Sequence, residues 1–109
     1  MNKNVIRQAS LLLEEHRANR IALECMRLRG SDGEGSELRA LVGAVELALA
    51  DLHPDDRYLL KEFYVNRYAG YMDRLQTYFN CSESSVYRRK RRAERMFAMR
   101  LFGSTGDGL

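Results

Sequence analysis

The sequence predicts an all-α protein, built as an N-terminal helical hairpin followed by a helix-turn-helix region. Three observations carry this. A single Pro interrupts 109 residues, the eight Gly gather mainly at 30–35 and 103–108, and the apolar residues between them recur at helical spacing. At this length, with 45% apolar residues, the chain can bury one modest core, and nothing suggests two independently folding domains. We therefore divide it into a hairpin over residues 1–51, a helix-turn-helix region over 52–103 and a flexible tail over 104–109.

The first helix is expected over about Asn4 to Leu28, where Val5, Ala9, Leu12, Leu13, Ile21, Cys25 and Leu28 fall on drifting apolar stripes. It is long for the core available to it. GSDGEGS at residues 30–36 concentrates Gly, Ser and acid and reads as a turn that lets the chain double back, with Ser36 as the next N-cap. Beyond it Leu38, Leu41, Val42, Val45, Leu49 and Leu52 form a single apolar face on a helix from about Glu37 to Ala50. That face either closes the core over the C-terminal region or joins a second copy. The homodimer is the favoured reading.

His53-Pro54-Asp55-Asp56 opens a third helix, since Pro suits the first turn and two acids complement the positive end of the dipole. Its apolar set is Leu59, Leu60, Phe63, Tyr64 and Tyr68, ending at Gly70. The aromatic set Phe63, Tyr64, Tyr68, Tyr71 and Tyr78 is read as core rather than as a base-stacking surface. A short helix follows from Tyr71 to Phe79, with Leu75 and Phe79 inward. Asn80 then takes a left-handed turn conformation and Ser82 caps a last helix over about Glu83 to Leu101.

That last helix holds the charge. Residues 82–103 carry seven basic and two acidic side chains, a net +5, whereas residues 1–81 carry 11 basic and 12 acidic ones. A helical projection puts Val86, Ala93 and Phe97 on one side, with Leu101 nearby, and Ser84, Arg88, Arg91 and Arg95 on the other, flanked by Ser85, Tyr87 and Arg92. The major groove of duplex DNA admits one α-helix, Arg can bond guanine edges bidentately, and Ser, Tyr and Arg can hold phosphates. The DNA-binding candidates are therefore Ser84, Ser85, Tyr87, Arg88, Arg91, Arg92 and Arg95. Read by itself, the Arg-rich helix also fits a solvated face or an acidic protein partner.

Other chemistry finds no support in the sequence. Cys25 and Cys81 stand apart without a CxxC partner, and His16 and His53 complete no metal-ligand spacing, so no metal and no cofactor is expected. The chain contains no glycine-rich phosphate loop, GxSxG elbow or paired catalytic carboxylates, so an enzyme is not expected. MNKNVIRQAS has no apolar run fit for a signal peptide and no stretch approaches a membrane span, so a cytoplasmic protein with no membrane association is expected.

From Leu52 onward, L-x-x-x-x-R-x-L-L followed by LQTYFNCSESSVYRRKRRA resembles region four of bacterial sigma factors. Ser82, Glu83, Val86, Arg89, Arg92 and Ala93 match the S-E-x-T-V-x-x-R-x-x-R-A pattern there. In size, tyrosine-rich middle and V-Y-R-R-K-R-R-A ending, the chain is more similar to the ArpU and RinA type of small phage transcription activators. The resemblance covers residues 52–103. It implies a phage or prophage regulator that binds promoter DNA and turns on late genes, with host RNA polymerase as a further partner. Two residues depart from the sigma pattern: Gln76 replaces the usual Ala, and Lys90 replaces a core Leu and must extend its ammonium outward. The chain lacks the region by which complete sigma factors recognise the −10 element, which favours an activator over a free-standing sigma role. A second class of function stays open, a DNA-packaging subunit of the small-terminase kind or a protein-interaction subunit.

Overall fold

The computed structural model describes residues 2–103, the side chain of Asp32 excepted, and the tail expected at 104–109 lies outside them. The described residues are all-helical: α1 (Lys3–Leu28), α2 (Ser36–Ala50), α3 (Pro54–Leu60), α4 (Tyr71–Phe79) and α5 (Glu83–Phe102), with a 3₁₀ turn at Asp32–Glu34 and a π-helical turn at Lys61–Asn66 that prolongs α3.

Local chemistry fixes most of the boundaries. The Asn2 side chain accepts from the Asn4 N–H at 2.6 Å and caps α1, which ends in a turn where Gly30 takes φ +75°. At α2 the cap is Gly35, not Ser36, which is the helix's first residue and makes no capping bond. Gly35 is buried, and a Cβ there would lie 3.0 Å from the Met26 sulfur and 3.2 Å from Leu23. Close approach of the two chain segments thus decides the cap. Pro54 starts α3, whose first free N–H, from Asp55, is taken by His53 Nδ1 at 3.1 Å.

One core joins both halves of the chain. Ala9 and Leu13 of α1 and Val45, Ala48 and Leu49 of α2 share a buried cluster with Leu59, Leu60, Phe63, Leu75, Val86, Ala93, Phe97 and Ala98. Helices α1 and α2 run antiparallel, since residues 16 and 20 meet Glu46 while residues 23 and 26 meet Gly35. Val42, Val45, Leu49 and Leu52 are all buried inside the chain. Most of the apolar face offered to a second copy is therefore taken up within the protomer, and Leu38 and Leu41 at its start are half-buried.

Past His16 the first helix leaves the core. Ile21 and Leu28 are 54% and 72% exposed and Cys25 is exposed, so the drifting stripe is buried only in its first half. Tyr68 and Tyr78, expected in the core, are also exposed. Tyr68 lies beyond the π-turn, after Arg67 has reversed the chain in the left-handed region (φ 44°, ψ 41°). Tyr78 instead stacks on Tyr58 with ring centroids 4.5 Å apart and donates to Asp55 Oδ1 at 2.7 Å, which raises its own pKa.

Buried polar groups hold the joints. Glu62 is buried at the π-turn and accepts from Arg74 at 2.8 Å, while the same guanidinium donates to the carbonyls of Tyr68 and Ala69. One α4 side chain thereby closes the loop leading into its own helix. His16 is 2% exposed, with Nδ1 unpartnered and Nε2 3.8 Å from Glu46. Burial holds its pKa below the ordinary 6.5, an effect that Glu46 opposes and that Arg20 and Lys61 reinforce. As pH falls through about 6.5 the unfolded imidazole takes up a proton that the folded one refuses, so stability declines on the acid side. Urea midpoints measured at neutral pH and at about pH 5.5 should diverge less in His16→Leu than in the parent. Equal divergence in the two proteins would show that His16 carries no such linkage.

Candidate nucleic-acid interface

Helices α4 and α5 are joined by a turn whose geometry follows from its residues. Asn80 sits in the left-handed region (φ 50°, ψ 54°), the Cys81 N–H returns to the Gln76 carbonyl at 3.1 Å, and the Asn80 N–H reaches Thr77 at 3.3 Å. Ser82 is extended (φ −73°, ψ 165°), and its Oγ accepts from the Ser85 N–H at 3.3 Å to cap α5. Leu75 is fully buried, whereas Phe79 is only partly buried and receives the Arg89 guanidinium on its ring face, 4.6 Å from the centroid.

The long α5 helix has two unlike sides. Val86, Ala93, Phe97 and Ala98 have no exposure, and Leu101 packs partly buried beside them. Its seven basic residues divide cleanly. Arg89 stacks on Phe79, Arg100 pairs with Asp51 at 2.7 Å, and Lys90 places its ammonium 5.0, 5.3 and 5.9 Å from the ring centroids of Phe63, Tyr64 and Tyr87. Arg88, Arg91, Arg92 and Arg95 are exposed and make no ion pair among the described residues. Folding thus occupies three cations and leaves four facing water.

The structure places the other candidates at the start of the same helix. Ser84 is exposed, with its Oγ 3.1 Å from that of Ser82. Ser85 is half-buried and engaged in the cap, through both its N–H and a hydroxyl contact of 3.1 Å with Ser82, so it is less available than its projection implied. Tyr87 is 37% exposed, its ring resting 5.7 Å from Phe63. All seven candidates lie within the first thirteen residues of α5, and none comes from another element.

Sequence reasoning missed what orients this helix. Glu94, on α5, accepts from the Ser10 hydroxyl of α1 and the Tyr64 phenol, each at 2.6 Å to Oε2. Burial, and then the bond to Glu94, pushes the Tyr64 pKa far above its ordinary value of 10, so the phenol stays a donor. The acid among the arginines is a three-helix tie. Its available signal was position: Glu94 follows Ala93 and lies one turn from Lys90, on the seam between the two sides. Tyr64→Phe should cost about 1.5–3 kcal/mol in chemical denaturation, the range for a hydrogen bond to a charged acceptor. A change within about 0.3 kcal/mol would show that the tie contributes nothing.

No known protein family, curated protein or solved structure matches the chain. Among the described residues no helix is long and apolar enough to cross a membrane.

Proposed function

We propose that this protein is a sequence-specific regulator of transcription that binds double-stranded DNA through α5, with α4, the turn at Asn80–Ser82 and α5 acting as a helix-turn-helix. The carrying observation is the exposed set Arg88, Arg91, Arg92 and Arg95, without an ion pair among the described residues, on the outer side of a helix whose inner side is buried. Four cations on a rigid, capped helix suit a row of phosphates and base edges, and Arg can read guanine bidentately. Ser84 and Tyr87 stand at the groove entrance.

The resemblance to sigma region four and to the ArpU and RinA activators supports a narrower reading, a phage or prophage late-gene activator in the bacterial cytosol that engages host RNA polymerase. With most of the apolar face of α2 buried, that face offers a two-fold pair on DNA little contact area.

The test is binding of a random duplex pool followed by a salt titration on the selected site. Neutralising about four phosphates gives a slope of roughly −3.6 in log affinity against log salt. Selection of one motif with such a slope supports the proposal. Salt-independent binding, or equal affinity for every duplex, would sink it. A closed ring of many subunits by native mass would favour the packaging role instead.

A further inference from the structure

Folding gathers a second basic cluster from positions scattered along the sequence. A cavity of about 370 Å³ lies between α1, α2, α3 and the π-turn, lined by His16, Arg20, Glu46, Arg57 and Lys61 over a floor that includes Leu49 and Val65. Three permanent cations face one carboxylate. Arg20 Nε stands 3.4 Å from Glu46 Oε1, and the Arg57 guanidinium donates one N–H to the Ala50 carbonyl at 3.2 Å, its other donors having no partner among the described residues. Lys61 has no ion pair among the described residues. His16 is buried at the wall with Nδ1 unpartnered.

The geometry points to a binding site for a small organic phosphate monoester. With His16 neutral the lining carries an excess charge of about +2, which a phosphate dianion matches. A guanidinium fork and an ammonium are the donors that phosphate oxygens take. The cavity is larger than a bare phosphate requires, and Leu49 and Val65 offer apolar surface to the carbon side of an ester. None of these residues belongs to the α5 surface, so the site stands or falls independently of DNA binding.

The experiment follows the His16 imidazole and the Leu49 and Val65 methyl groups by NMR in the full chain. Inorganic phosphate and phenyl phosphate are titrated at constant ionic strength. Saturable shifts are expected below about 20 mM, tighter for phenyl phosphate. The His16 pKa should rise as an anion settles beside it. Lys61→Gln, at an exposed position that does not endanger the fold, should weaken binding about tenfold. Arg88→Ala with Arg91→Ala should leave it unchanged. The proposal is overturned by an absence of saturable shifts at His16, by shifts indifferent to Lys61→Gln, or by shifts abolished by the α5 double variant. It is equally overturned if Lys61→Gln weakens duplex binding while phenyl phosphate has no effect, which would make the cluster a DNA backbone contact.

Discussion

Replacing Arg88 and Arg91 together by alanine is expected to weaken duplex DNA binding by two orders of magnitude or more without unfolding the protein. Both side chains are exposed, and neither takes part in an ion pair among the described residues, so their removal leaves no buried group unsatisfied. What is lost is contact with the ligand. Each charge-assisted bond to a base edge or phosphate contributes about 1.5–3 kcal/mol, and two such losses correspond to a weakening of about a hundredfold or more. Arg100→Ala serves as the comparison, because that guanidinium is already paired with Asp51. It removes one charge from the same helix where the double variant removes two, and should alter affinity by far less than half as much in free energy. Anisotropy titrations of the three proteins on one duplex, with circular dichroism as the check on folding, decide the matter. A loss of binding free energy in Arg100→Ala half as large as in the double variant, one charge against two, would mean that α5 acts through net charge alone.

The second large effect concerns the other side of that helix. Phe97 is among the largest fully buried side chains, with no exposure at all. Phe97→Ala should cost about 3–5 kcal/mol, the transfer free energy of a ring plus the cavity it leaves. A domain of this size has about 5–15 kcal/mol in total, so the variant would sit near the edge of folding at room temperature. Phe102→Ala, five residues on and 40% exposed, should cost much less, about 1 kcal/mol or under. Urea unfolding of the pair measures the contrast. Similar midpoints would contradict a core centred on Phe97.

The same contrast explains what the sequence made legible. Helix limits at Pro54, Tyr71, Asn80 and Ser82 follow from residues whose preferences act within a few positions, and the structure places each within a residue or two of expectation. The buried side of α5 was readable because Val86, Ala93 and Phe97 repeat at helical spacing. Features decided by distant partners were not readable. The π-turn at residues 61–66 contains a buried Glu62 whose partner, Arg74, lies twelve residues away, and no residue within the turn announces that pairing. Tyr68 and Tyr78 looked like core because they are aromatic, and the reversal at Arg67 and the bond to Asp55 set them outside. The face of α2 could be matched to a second copy only while the helix covering it was unknown.

The interface was legible in outline and incomplete in detail. Charge spacing separated Arg88, Arg91, Arg92 and Arg95 from the core, but nothing local to α5 says that Arg89, Lys90 and Arg100 are occupied by Phe79, the aromatic group and Asp51. Apart from Tyr87, those partners lie outside α5. The cluster of Arg20, Arg57 and Lys61 was invisible for the same reason, its members being separated by up to 41 positions of chain.

The division of α5 also bears on how such a protein could be altered. Most residues that hold the helix in place differ from those that face outward, and the two sets meet at Ser85, Tyr87, Lys90 and Glu94. Positions 84, 88, 91 and 95 can therefore be randomised together in a library while Val86, Ala93 and Phe97 are kept. Most members should fold, and their outward chemistry becomes a cassette exchangeable without redesign of the scaffold.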